Sequence, residues 1–151
     1  MDTLKETKHI QSMLVTSTRT YTNNASIAAD LAAMVAQTGK KTLLMDADLN
    51  RPVIHRVFEL PNRVGLSDVL QGQRSADAIM HKLIGDNLHV ITSGVMPTEI
   101  KDLIGTKEMS NLIKELKLRY EKIFIHGPAF FFNDATLLSA QVDAVVLLIN
   151  S

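Results

Sequence analysis

Five short apolar runs constrain this chain more than anything else in it: SMLV at 12–15, KTLLMD at 41–46, LHVIT at 88–92, KIFIH at 122–126 and AVVLLIN at 144–150. They do not alternate cleanly between apolar and polar residues, as a strand with one wet face does. They read instead as strands covered on both faces, the habit of parallel sheets. Between them lie helical patterns. ASIAADLAAMVAQTG, at 25–39, has alanine, leucine and methionine at helical spacing and Gly39 placed to end it. Residues 76–83, 107–118 and 134–140 carry shorter helical patterns. Strands separated by helices predict a doubly wound, mostly parallel α/β sheet of about five strands with helices on both faces. With no linker, repeat or low-complexity tract, residues 1–151 are expected to form a single domain.

Open sheets of this kind hold ligands beyond the carboxyl ends of their strands. That rule selects residues 16–24, 46–51, 92–97 and 126–134 as the functional rim. A loop entering a helix, as 16–24 does, normally holds phosphate with glycines and a lysine. Here neither residue type occurs between Thr16 and Thr38. Sixteen basic residues balance sixteen acidic ones, which removes the electrostatic case for nucleic acid or anionic lipid. The absence of cysteine excludes disulfides and thiolate metal sites. No apolar run approaches the roughly 18 residues of a membrane span, and MDTLKETKHIQ does not read as a signal peptide. A cytoplasmic protein without direct membrane insertion is expected.

Three ordered segments carry a family resemblance. AQTGKKTLLMDADLNRPVIHRVFELPNRVGLSDVLQG, NLHVITSGVMPTEIKDLIGTKEMSNLI and YEKIFIHGPAFFFNDATLLSAQVDAVVLLI together cover nearly the whole chain. They resemble the cytoplasmic tyrosine kinase domain of bacterial capsule and exopolysaccharide synthesis, the BY-kinase family, whose P-loop fold is related to MinD and ParA. The family's phosphate loop runs Pro-Gly-Glu-Gly-Lys-Ser/Thr-Thr. At the matching place stand Thr20, Tyr21, Thr22, Asn23, Asn24, Ala25 and Ser26. Tyr21 and Asn23 replace the glycines, so wrapping N–H groups around a phosphate meets a Cβ. Asn24 replaces the lysine, and Ala25 the hydroxyl residue that binds Mg²⁺. His126 stands at the Walker B carboxylate, and imidazole is a poor ligand for a hard cation. Asp46 and Asp48 match the family's Walker A′ pair, Asp134 a switch-segment carboxylate, and Arg19 an extra lysine of MinD-like relatives.

The resemblance therefore implies a kinase fold whose matched residues are those of a pseudokinase. Losing the lysine, the Mg²⁺ hydroxyl and the Walker B carboxylate costs on the order of 10⁴-fold or more in turnover. ATP and Mg²⁺ are expected to bind weakly or not at all. The expected role is a regulatory or binding subunit in polysaccharide synthesis and export. Its implied partner is the cytoplasmic tail of a membrane chain-length protein or an active kinase paralogue, which would bring it to the inner face of the membrane. Self-association is left open. Two alternatives are a weak ATPase or kinase using Asp46, Asp48 and Arg19, and a MinD-like nucleotide switch. Only Tyr21 and Tyr120 occur, so no tyrosine cluster is available to autophosphorylate.

Blander readings accompany these. Asp46 and Asp48 fit a solvated turn, Arg19 a solvated loop, and His126 a hydrogen-bonded strand-end histidine. A softer metal held by His126, Asp46 and Asp48 is the less favoured alternative. The FFF run at 130–132 is expected to expose at least one ring, and the five methionines from Met13 to Met96 to fill the core.

Overall fold

The computed structural model describes residues 9–18, 24–83, 85, 87–97 and 102–149. In chain order the elements are β1 (Ser12–Ser17), α1 (Asn24–Gln37), β2 (Thr42–Asp46), α2 (Ile54–Val57), α3 (Leu66–Leu70), α4 (Ala76–Ile79), β3 (His81–Lys82), β4 (Leu88–Ile91), α5 (Lys107–Lys117), β5 (Lys122–His126), α6 (Asn133–Ser139) and β6 (Ala144–Leu148). The strands form one sheet in the order β3-β4-β2-β5-β1-β6. Every pairing is parallel except β3 with β4.

Successive strand residues face opposite sides of the sheet, and both sides are covered except at the edge strand β6. There Val145 and Leu147 are exposed, against the doubly covered strand expected. Leu14, Leu43, Met45, Ile91, Ile123 and Ile125 pack with Leu66, Met109, Leu112, Ile113, Leu116 and Leu138 from the helices of one face. Val15, Leu44, Val90 and Phe124 meet Ala25, Ala28, Ala29 and Ala32 of α1 on the other. Those alanines recur at helical spacing and let α1 lie close to the sheet. Gly39, at φ +95°, ends the helical turn where the sequence places the stop.

All five sequence-derived strands are present, and a sixth joins them. The helix expected over 76–83 stops at Ile79, because Met80 turns extended (φ −77°, ψ 131°). His81 and Lys82 then pair with Val90 and His89, giving the exposed edge of β4 partners for its backbone. Two short helices, α2 and α3, fall where no helical pattern was visible. Of the methionines, Met45 is buried in the core, whereas Met34 is 63% exposed on the outer face of α1.

At the amino ends of the strands one carboxylate ties three elements together. Asp143 accepts N–H groups of Gln11 (2.9 Å) and Ser12 (3.0 Å) through one oxygen, and Lys117 Nζ (2.9 Å) through the other. Burial works against its charge, but Lys117 and the two N–H groups outweigh that and hold its carboxyl well below the usual range. Replacing it (Asp143→Ala) is expected to cost about 1.5–3 kcal/mol in denaturant unfolding at pH 7. A depressed carboxylate stabilises the fold above its unfolded pKa and stops doing so as pH falls through its folded one. The gap between wild type and variant should therefore close below about pH 4.

Candidate functional site

Parallel register places Asp46 directly beside His126, at the carboxyl ends of β2 and β5. Both side chains lie on the α1 face, the side to which Leu44 and Phe124 also point. The first residue of α1, Asn24, lies above them. His126 Nδ1 is 2.9 Å from Asp46 Oδ1, and Nε2 is 2.8 Å from Asn24 Oδ1. With Asn24 Oδ1 turned to the ring, both imidazole nitrogens donate. With the amide reversed, its NH₂ donates to Nε2. Either orientation satisfies both ring nitrogens inside the protein, where His126 is buried.

Asp46 is enclosed more completely still. Its Oδ1 also accepts the Asp48 N–H (3.0 Å), and its Oδ2 accepts the N–H groups of Val53 (2.9 Å) and Ile54 (3.0 Å). It is 0% exposed, so the solvated turn expected for this residue is not what the fold builds. Asp48 sits at the mouth instead, its Oδ1 accepting the Arg51 N–H at 3.2 Å. Burial, offset by the field of His126 and reinforced by Asp46, raises its pKa. Asp134, in the first turn of α6, is raised by burial and by the nearby Asp102.

These groups border a cleft of about 580 Å³ lined by residues of the β1, β2 and β5 ends and of the starts of α1 and α6. Asn24, Ala25, Ser26, Asp48, His126 and Asp134 all line it, while Asp46 lies behind His126 and Asp48. Arg19, Thr20, Tyr21, Thr22 and Asn23 lie outside the described residues. The rim segment 92–97 does not reach the cleft. Its backbone is tied to the 62–67 turn: Asn62 and Gly94 exchange hydrogen bonds, and Leu66 and Ser67 donate to Thr92 and Ser93 carbonyls. Gly65 is required there, because a Cβ would come within 2.3 Å of the Thr92 carbonyl oxygen. Ser17 and Asn133 line the cleft within the rim segments selected from sequence, though neither was singled out, and Val53 lines it from outside them. Only its closeness to the 46–51 segment could have signalled Val53.

Asp46 and His126 do not suit Mg²⁺, which takes oxygen ligands in near-ideal octahedral geometry. Both oxygens of Asp46 are taken by N–H groups and imidazole, and His126 presents nitrogen. Among the described residues no group of three or more histidines and carboxylates is placed to hold a metal ion. The softer-metal arrangement of His126, Asp46 and Asp48 is therefore not formed.

A doubly wound sheet with its cleft at the carboxyl strand ends and a helix entering from the first strand is an architecture that P-loop nucleotide-binding folds share with other doubly wound proteins. The septum site-determining protein MinD of Pyrococcus horikoshii, complexed with Mg-ADP, shares that fold with a TM-score of 0.77 at 22% identity, over 91% of this chain and 57% of its own. The sequence relatives are more specific. Tyrosine-protein kinase YwqD of Bacillus subtilis (strain 168) is 36% identical over 145 residues, 95% of this chain and 61% of YwqD. The crystal structure of the chimerical protein CapA2B2 superposes with a TM-score of 0.91 at 33% identity, covering 99% of this chain and 66% of that one. This chain is a relative of the bacterial tyrosine-protein kinases, and it spans about 61% of the length of YwqD. No family model matches it. Among the described residues no helix is long and apolar enough to cross a membrane.

Two expected outcomes test this geometry. Removing the Asn24 amide (Asn24→Ala) leaves His126 Nε2 without its buried partner and should lower stability by about 1–3 kcal/mol in chemical denaturation. Because burial raises the Asp48 pKa, the ionised carboxylate works against folding once pH exceeds its folded value. Asp48→Asn keeps an oxygen for the Arg51 N–H and should melt a few degrees higher at pH 7. That difference should vanish as pH falls through the carboxylate range.

Proposed function

We propose that this chain is a non-catalytic relative of the capsule and exopolysaccharide tyrosine kinases, serving as a regulatory or binding subunit of a polysaccharide synthesis and export system. The observation that carries the reading is the closed Asn24–His126–Asp46 network. By the resemblance, Asn24 stands at the phosphate-binding lysine and His126 at the Walker B carboxylate. Asn24 bonds to His126 and His126 to Asp46, so the polar groups at the transfer site are used to hold the fold. A phosphoryl group in flight needs cationic and metal stabilisation of its equatorial oxygens. The matched positions supply neither.

Tyr120 is buried, with its hydroxyl 2.7 Å from His89 Nδ1, so it offers no accessible phosphate acceptor in the folded state. The partner implied by the resemblance is the cytoplasmic tail of a membrane chain-length protein or an active kinase paralogue, which would place the chain at the inner face of the membrane. The weak-ATPase alternative requires Asp46 to leave four hydrogen-bond donors, which disfavours it.

The test is phosphotyrosine formation by the purified chain with Mg-ATP, for which no signal above background is expected. Phosphotyrosine in the wild type that disappears in Asp48→Asn would overturn the reading. Restoring the family residues separates binding from turnover. Tyr21→Gly, Asn23→Gly, Asn24→Lys and Ala25→Thr together should create ATP affinity measurable by calorimetry, with hydrolysis appearing only when His126→Asp is added.

A further inference from the structure

The described residues lining the cleft that a nucleotide would enter carry more carboxylate than permanent positive charge. Among its described lining residues Asp48 and Asp134 are carboxylates, Arg51 is the one permanently charged cation, and no lysine is present. Neither carboxylate makes an ion pair among the described residues. A polyphosphate would bring several negative charges against these two groups, whereas a cation would relieve them.

The wall beside them is aromatic. Phe132 lines the cleft and is 43% exposed, and the chain continues outward through Phe131 (58%) and Phe130 (49%). Their rings form a chain: Phe131 and Phe132 have centroids 4.8 Å apart, and Phe130 stands edge-on to Phe131 at 6.2 Å. Three consecutive large apolar side chains, half exposed and leading out of an acidic cleft, are a costly surface to leave in water.

We infer that this cleft receives a lysine- or arginine-bearing peptide segment of a partner protein, with the basic side chain between Asp48 and Asp134 and neighbouring apolar residues along Phe130–Phe132. The inference rests on the non-catalytic reading, which leaves the cleft free of nucleotide. Charge complementarity selects a cation, and aromatic faces add attraction for it. The aromatic strip selects a peptide over a small polyamine, because only a chain carries apolar groups beyond its charge. The volume of about 580 Å³ suits one long side chain with part of its backbone.

The test is fluorescence anisotropy of the intact chain with a labelled peptide of alternating lysine and leucine, against one of alternating glutamate and leucine. The lysine peptide should bind saturably and the glutamate peptide should not. The double variant Asp48→Asn/Asp134→Asn should weaken binding roughly tenfold or more, since charge-assisted hydrogen bonds are lost. Both changes are near-isosteric, and the amide oxygen introduced by Asp48→Asn still accepts the Arg51 N–H, so circular dichroism should be unchanged. Phe131→Ser should weaken the peptide severalfold while leaving spermidine, used as a competitor, unaffected. Equal binding of both peptides, or lysine-peptide affinity indifferent to the aspartate or Phe131 changes, would overturn the inference. If the chain forms no phosphotyrosine and also ignores the lysine peptide, this inference fails while the non-catalytic reading stands. If it makes phosphotyrosine, that reading fails first.

Discussion

Three backbone N–H groups and one imidazole converge on the carboxylate of Asp46, under the first turn of α1. A buried charge with fewer partners would cost several kcal/mol. With four, it becomes a fixed point from which neighbouring segments take their positions. The Asp48 N–H sets the exit of β2, the Val53 and Ile54 N–H groups start α2, and His126 joins β5 to the same atom. Asn24 then ties the helix start to the imidazole. The mouth of the cleft is thus shaped by a carboxylate that does not itself face it.

Chemistry is divided between the two ends of the strands. At the amino ends Asp143 is satisfied by Lys117 and two N–H groups, and the elements meeting there are locked. At the carboxyl ends burial pushes the Asp48 and Asp134 carboxyls up, reinforced by Asp46 and Asp102 and, at Asp48, offset in part by His126 and Arg51. Equal numbers of acidic and basic residues say nothing about this arrangement. A chain with zero formal net charge nonetheless places two carboxylates against one guanidinium among the described residues lining this cleft.

Much of the fold was legible because its signals are local. Unalternated apolar runs marked all five main strands, and Gly39 marked the end of α1. The misses have tertiary causes. β3 exists because β4 needs an edge partner, and four- or five-residue helices such as α2 and α3 are too short for periodicity to register. In the site, residue type suggested which positions had lost the family's chemistry, but not what replaced it. An asparagine and a histidine 102 positions apart give no sign in sequence that they share a hydrogen bond. The depth of Asp46 was equally hidden, since an aspartate at a strand end looks the same in sequence whether it meets water or the Val53 and Ile54 amides.

The alanine face of α1 bears on how such a chain can diverge. Ala28 and Ala32 are 0% exposed against the sheet, whereas Met34 and Ile27 on the same helix face outward. A methyl group added at either alanine has nowhere to go but outward, lifting the helix from Val15, Leu44 and Phe124. The lift would be felt at Asn24, one end of the same rigid rod, as a parting from His126. The spacing of a helix from its sheet and the integrity of a hydrogen bond at its tip are thus one mechanical quantity. Drift in side-chain size along the inner face would be screened at the cleft as well as in the core, while the outer face remains free to vary.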